Sequence, residues 1–582
     1  MGILIEVDNL NYRHPNSEPG MLSALRGINL RIAEGEYVAL IGANGSGKTT
    51  LARHLNALLR PTSGSVRIGD LDTQNPRNYA AIRAMVGMVF QSPEDQIIAT
   101  TVEEDVAFGP ENLGIAPQEI RERVNTALQN TGMSEFRLRP PHQLSAGQVQ
   151  RLALAGILAM RPRCIIFDEP TAMLDPVGRK DVQALLSQLH KEGITILYIT
   201  HFMEEAVRAE RVVVLCQGQV ALDGSPAQVF NDAPSLNKSG LERPPAAVLA
   251  DVLRPQIPQL AGNILTVEEL TQSLLACPIP SGRILEQPPV EDEQPTPLIK
   301  VHDLGYTYLK GTPFAERALT GASLRVDEQR SHGLIGATGS GKSTLLQHLN
   351  GLIRPQEGTV RVGPYDLNDP KIELKTVCQL VGMSFQIPET QFFEQYVGDE
   401  IAFGPRQMGI KAAGLVQQVR QAMEMVGLDF EDYKDRLVFT LSGGEKRKVA
   451  LASVLALHPR ILALDEPLAG LDPLSRRDLL ENLREWQSSG VTMVVSSHYM
   501  EDLVELVGVV TVLKNGKDVI SGALAKVFSR RDELEEAGLE APLVTQVAAS
   551  MLKSGWALPR GLVRQDELVR AVAELVKAGV HE

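Results

Sequence analysis

Short runs that are apolar at every position recur along this chain, among them YVALI at 37–41, CIIF at 164–167 and ITILYI at 194–199. A strand with one wet face alternates apolar and polar residues. Runs apolar on both faces fit strands buried inside a parallel sheet. Helical stretches lie between them, such as KTTLARHLNALL starting at Lys48. The alternation predicts an α/β fold. The longest apolar runs, such as LALAGILAM at 152–160, are far shorter than the ~18–20 residues a membrane span needs.

The whole pattern is written twice. GANGSGKTT at 42–50 returns as GATGSGKST at 336–344, so Lys48 and Lys342 are 294 apart. Gln91 and Gln386 are 295 apart, and Ser145/Ser442, Asp168/Asp465 and His201/His498 are each 297 apart. GLE at 240–242 and EEL at 268–270 are answered, at offset 298, by GLE at 538–540 and DEL at 566–568. The first copy therefore ends near residue 284. This is tandem duplication of a domain-sized unit, since a solenoid has a period of ~20–50 residues. Between the copies EQPPVEDEQPTP, residues 286–297, is rich in proline and acid and reads as a solvated, semi-stiff linker. The expected organisation is a domain at 1–230 with an extension at 231–285, the linker at 286–297, a second domain at 298–528 and its extension at 529–582.

Composition narrows the classes. A chain of 582 residues holds several domains, each able to bury a core. A net charge of −14 weighs against a nucleic-acid coat, whose affinity rests on clustered Lys and Arg. Cys164, Cys216, Cys277 and Cys378 show no metal-ligand spacing and read as reduced thiols. MGILIEVDNLNY has no basic stretch followed by an apolar one, so no signal peptide is expected, and Glu6 breaks the myristoylation pattern.

Both loops match G-x-x-x-x-G-K-[ST], following an apolar strand and opening a helix. Glycines let backbone N–H groups turn inward around phosphates, and the helix N-terminus adds its positive dipole end. The phosphate cradle is Gly42, Asn44, Gly45, Ser46, Gly47, Lys48, Thr49 and Thr50 in the first copy. Its counterpart is Gly336, Thr338, Gly339, Ser340, Gly341, Lys342, Ser343 and Thr344. The lysines reach the β- and γ-phosphates, and Thr49 and Ser343 offer hydroxyls to Mg²⁺. CIIFDEP and ILALDEP end strands in acid pairs. Asp168 and Asp465 are placed to hold Mg²⁺, and Glu169 and Glu466 to polarise an attacking water, a role worth ~10²–10⁴ in rate. LSAGQ at 144–148 and LSGGE at 441–445 precede long helices and read as capping boxes, Ser145 with Gln148 and Ser442 with Glu445.

Phosphate loop, Gln, L-S-G-G-Q, acid pair, L-D and His, in this order, resemble the nucleotide-binding domain of ABC ATPases over nearly the whole chain, twice. The resemblance implies two tandem P-loop NTPase domains, each with a helical subdomain and a small C-terminal helical extension. It also implies two ATPs sandwiched head to tail, each signature closing over the ATP of the other half. The first site then combines Gly42–Thr49, Gln91, Asp168, Glu169 and His201 with Ser442, Gly443, Gly444 and Asp472. The second combines Gly336–Ser343, Gln386, Asp465, Glu466 and His498 with Ser145, Gly147, Gln148 and Asp175. The histidines take the place of the γ-phosphate sensor, and Gln91 and Gln386 serve both catalysis and Mg²⁺. Adenine is expected to stack on His14 and Tyr308, with Tyr12 and Tyr306 as neighbours. Ala146 and Glu445 depart from the signature: the one adds a methyl, the other an anion near phosphate. Both sites, keeping Glu and His, are expected to hydrolyse ATP with modestly different affinity.

The stretches QSPEDQIIATTVEEDVAFGPENLG (91–114) and QIPETQFFEQYVGDEIAFGPRQMG (386–409) resemble the ATPases of energy-coupling factor importers of vitamins, cobalt and nickel. The tails after GLE look like the helical extensions of those ATPases. The implied partners are a membrane coupling protein and a small substrate-binding membrane subunit, with the chain on the cytoplasmic face of the membrane and no nucleic acid involved. Glu94, Asp95 and Glu389 are candidates to pair with basic residues of the coupling helices. A soluble ABC-F translation factor would favour a long charged helical linker and a basic ribosome-facing surface. The fused ATPase of a sugar importer would tend to carry one degenerate site.

Overall fold

The computed structural model describes residues 2–14, 23–172, 174–278, 296–312 and 314–580. Most of the acidic linker, 286–295, lies outside them. The chain divides into two compact units, Met1–Val248 with Gly262–Thr266 and Asp472–Leu474, and Leu249–Ala261 with Val267–Leu471 and Ser475–Glu582.

The first unit has two sheets. β1 (Ile3–Tyr12), β2 (Leu25–Ala33), β4 (Ser63–Ile68) and β5 (Leu71–Asp72) form an antiparallel sheet in the order β2-β1-β4-β5. β1 mixes buried and exposed positions, as a strand with one wet face does. The second sheet, in the order β10-β9-β3-β8-β7-β6, joins β3 (Tyr37–Ile41), β6 (Val86–Val89), β7 (Cys164–Asp168), β8 (Thr195–Ile199), β9 (Arg211–Cys216) and β10 (Gln219–Gly224). β3, β7 and β8 are buried at every position and pair in parallel, which explains their uninterrupted apolar sequences. The order brings β3, β8 and β7 side by side although they lie far apart in the chain. Helices Val102–Asn112, Pro117–Asn130 and Ala146–Ala159 form a helical subdomain around Val106, Val124, Leu128 and Leu152.

The second unit repeats this plan. β11 (Pro297–Tyr308), β12 (Glu316–Asp327), β14 (Glu357–Val362) and β15 (Tyr365–Asp366) form the antiparallel sheet. β13 (Ser331–Ile335), β16 (Val381–Ser384), β17 (Ile461–Asp465), β18 (Thr492–Ser496), β19 (Val509–Lys514) and β20 (Lys517–Ala523) form the other, in the order β16-β17-β18-β13-β19-β20. Pro297, at the end of the expected linker, already begins β11. The unit also holds the helix Val267–Leu275, which packs against Leu543–Lys553, so the extension expected at 231–285 is divided between the units.

Candidate functional site

In each unit the loop after the first parallel strand curls back on its lysine. Lys48 Nζ donates to the carbonyls of Gly42 (2.7 Å) and Ala43 (3.1 Å), and Lys342 Nζ to those of Gly336 (2.8 Å) and Ala337 (3.1 Å). Gly42 has no alternative, because a Cβ there would lie 2.4 Å from the Leu215 carbonyl oxygen and 2.5 Å from Ser46 Oγ. Gly47, at φ 104°, opens the helix Lys48–Leu55 in a left-handed conformation that side chains resist. The hydroxyls of Ser46 and Ser340 are buried within the loops and lack a protein partner. Asn44 and Gly45, like Thr338 and Gly339, are exposed at the loop tips. A buried lysine, orphaned hydroxyls and a helix N-terminus fit a polyphosphate.

The loops meet the acid pairs. Thr49 Oγ1 donates to Asp168 Oδ1 at 3.1 Å, and the Ser343 hydroxyl bonds to Asp465. Burial, aided by the neighbouring Glu169 charge, raises the Asp168 carboxyl to about 6, and burial also raises Asp465. A buried carboxylate beside a hydroxyl is an all-oxygen donor set, which suits a hard cation such as Mg²⁺ when phosphate supplies further ligands.

Glu169 and Glu466 stand at φ 50° and 47°, a left-handed conformation costly for a non-glycine residue. Each side chain is a point of convergence. Gln91 Nε2 donates to Glu169 Oε2 at 3.0 Å, and His201 Nδ1 lies 3.4 Å from Oε1. Gln386 Nε2 donates to Glu466 Oε2 at 3.1 Å, His498 Nδ1 is 2.9 Å from the same oxygen, and Lys342 Nζ is 3.9 Å from Oε1. Burial alone would raise both glutamates. The histidines and loop lysines outweigh it and hold them below the ordinary carboxylate value. Burial in turn lowers Lys48, opposed by Glu169, Asp168 and Asp472, which belongs to the same compact unit.

The signature serines cap their helices. Ser145 N–H donates to Gln148 Oε1 (2.9 Å) and Gln148 N–H to Ser145 Oγ (3.4 Å), with Gly147 in the first turn. In the second unit Ser442 N–H and Oγ donate to Glu445 Oε2 at 2.8 and 2.7 Å. Tyr433 donates to Glu445 Oε1 at 2.8 Å, so the anion that replaces Gln is engaged within its own subdomain. A Cβ on Gly443, the counterpart of Ala146, would meet nothing within 4 Å, and one on Gly444 only ordinary contacts. Asp175 caps the helix Pro176–Lys191 through the Gly178 N–H at 2.9 Å.

The aromatic pair of the first copy separates by depth, while Tyr306 and Tyr308 of the second are both half-buried. Tyr12 is buried, edge-on to His54 at 4.6 Å, and Tyr306 packs edge-on to His348 at 5.1 Å. His14 is exposed and Tyr308 half-buried, its hydroxyl 3.2 Å from that of Thr344. Of the partner-pairing candidates, Glu94 and Asp95 are exposed, whereas Glu389 is engaged by Lys446 at 3.0 Å. Sequence reading passed over Ser496, whose hydroxyl accepts the Glu466 N–H at 2.9 Å and donates to Asp465 Oδ1. It also passed over Arg447 and the pair of half-buried Arg476 and buried Asp502. None of these carries a local motif.

The fold and these loops define two P-loop nucleotide-binding domains in one chain. Residues 25–172 and 319–469 both match the ABC transporter family, and the chain belongs to that family. It is 33% identical over 571 residues to a candidate ABC transporter ATP-binding protein of Caldanaerobacter subterraneus subsp. tengcongensis, covering 94% of this chain and 96% of that protein. A Methanosarcina acetivorans protein named in the same way is 33% identical over 582 residues, 97% of this chain and 92% of its own. The energy-coupling factor transporter ATP-binding protein EcfA1 of the same Caldanaerobacter is 50% identical over 273 residues, 47% of this chain and 99% of that one. The chain is an ABC ATPase that binds and hydrolyses ATP. Among the described residues no helix is long and apolar enough to cross a membrane.

Proposed function

We propose that the chain powers an importer of the energy-coupling factor type from the cytoplasmic face of the membrane. Its partners are a membrane coupling protein and a small substrate-binding membrane subunit, and its cargo is a vitamin or a transition-metal ion. The likeness of half the chain to an energy-coupling factor ATP-binding subunit carries this reading. Exposed Ile98, Ile387, Phe393 and Tyr396 in the segments after Gln91 and Gln386 support it, since they suit an apolar coupling element.

In each unit the loop amides and lysine hold the β- and γ-phosphates. Glu169 or Glu466 accepts the proton of a hydrogen bond from the attacking water and polarises it. Gln91 and Gln386 steady those carboxylates through their amide N–H groups, which leaves the amide oxygen as each side chain's acceptor. His201 faces the other oxygen of Glu169, whereas His498 shares with Gln386 the same oxygen of Glu466. Mg²⁺, held by Thr49 and Asp168 or by Ser343 and Asp465, neutralises phosphate charge when bound. On this reading Ser442, Gly443, Gly444 and Asp472 complete the first site, and Ser145, Gly147, Gln148 and Asp175 the second. Exposed His14 and half-buried Tyr308 offer faces to adenine, with Tyr12 and Tyr306 beneath them.

The test is a mild-detergent pull-down of the tagged chain from its own membranes, with partners identified by mass spectrometry. A coupling protein and a small multi-span subunit are the expected partners. Ribosomal proteins from the soluble fraction, with no membrane protein, would overturn the transport reading and leave the ATPase intact.

A further inference from the structure

The two copies differ behind the catalytic glutamate. In the second unit Arg447, on the signature helix Gly443–Leu455, is 5% exposed. Its Nη2 donates to the carbonyls of Gln386 (2.9 Å) and Ala469 (3.3 Å), and its Nη1 to that of Glu466 (3.3 Å). One planar fork thus joins the Gln segment, the strained Glu466 peptide and the loop beyond it. Glu389, in the segment that follows Gln386, is the largest charge offsetting the burial of this guanidinium, and the neighbouring Lys446 binds Glu389. The first copy has Val149 and Gln150 at these positions. Gln150 is equally buried, but an amide offers two donors on a shorter stem where a guanidinium offers five in a fixed fork.

We propose that Arg447 is a positioning residue of the second unit. It ties the segment after Gln386 to the backbone of Glu466, so that movement of that segment reaches the carboxylate, while the first unit works without such a tie. The two ATPase halves are then mechanically unequal: a push on the second segment acts on hydrolysis more directly than a push on the first. The inference rests on the role of Glu466 proposed above.

The test measures single-turnover hydrolysis and ATP affinity of the full chain in two backgrounds, Glu169→Gln and Glu466→Gln. Arg447→Gln, which installs the residue of the first copy, is expected to slow hydrolysis about tenfold in the Glu169→Gln background, as a misplaced group does. ATP affinity there should change less than about twofold, and the Glu466→Gln background should keep its rate within about the same factor. Arg447→Lys keeps the charge without the fork and is expected to stay slow in the first background only. It also serves as the readout should Arg447→Gln fail to fold. Equal slowing in both backgrounds, or full activity of Arg447→Lys, overturns the proposal. If Glu466→Gln alone leaves an otherwise unchanged chain at full rate, the role given to Glu466 has failed. If Glu466→Gln is damaging and Arg447→Gln is not, the tie itself has failed.

Discussion

His332 offers a sharp test of how one buried group shapes the acid stability of the second unit. It sits on β13, 4% exposed, with Nε2 2.8 Å from the Thr511 hydroxyl on β19. Burial pulls its imidazole from the ordinary 6.5 down to about 4, with Asp327 opposing. The folded unit therefore keeps this ring neutral in a range where the unfolded chain takes up a proton. Its contribution is fully present above pH 6.5 and is lost as pH falls from 6.5 towards about 4. The whole window corresponds to ~3 kcal/mol, of which ~2 kcal/mol is already lost at pH 5. The first copy supplies the control, because aligned sheets place Val38 and Val213 where the second has His332 and Thr511. In the double variant His332→Val, Thr511→Val, the bonded ring and hydroxyl become apolar together, and the Ser521 hydroxyl that Thr511 also meets at 2.8 Å is exposed and turns to water, so the cost at pH 7.5 stays within ~1–2 kcal/mol. Both tryptophans, Trp486 and Trp556, belong to the second unit, so fluorescence follows its unfolding. Urea midpoints at pH 7.5 and 5.0 should converge, parent and variant differing less at pH 5.0 or reversing order. Parallel losses of stability in the two proteins would refute the account.

Gly42→Ala should cost ~1–3 kcal/mol, because the new methyl meets a strand carbonyl that cannot yield; ATP binding and thermal unfolding both read it. Glu169→Gln and Glu466→Gln should each slow their own site ~10²–10⁴-fold, and a single variant with undiminished turnover would contradict two competent sites. Asp502→Ala leaves the half-buried Arg476, now 2.7 Å from the Asp502 carboxylate, without its acid, and should destabilise the second unit by ~1–3 kcal/mol. Arg476→Met with Asp502→Leu should be near neutral by the same fluorescence measurement, which separates a lost charge pair from lost packing.

The amino-acid sequence alone determined whatever is local. Glycine at positions 42, 45 and 47, the lysine that follows at 48 and serine caps three residues before Gln148 or Glu445 all act through contiguous backbone, so spacing along the chain was enough to read them. The uninterrupted apolar runs announced buried parallel strands because burial on both faces leaves no polar position. The tertiary structure decided which distant residues meet. The order β9-β3-β8-β7 sets the Lys48 loop beside Asp168 and brings Gln91 and His201 onto Glu169. Depth at the end of β1, invisible in Tyr-x-His, put Tyr12 in the core and left His14 outside. Glu389, a candidate to meet basic residues of a partner, meets Lys446 in the fold, and Glu445, legible as the capping partner of Ser442, also takes a hydrogen bond from Tyr433 that no spacing announced. Arg447 and Ser496 carried no signal at all. Their importance comes from packing against groups tens of residues away, which no local period encodes, and such contacts make two copies of one plan physically different.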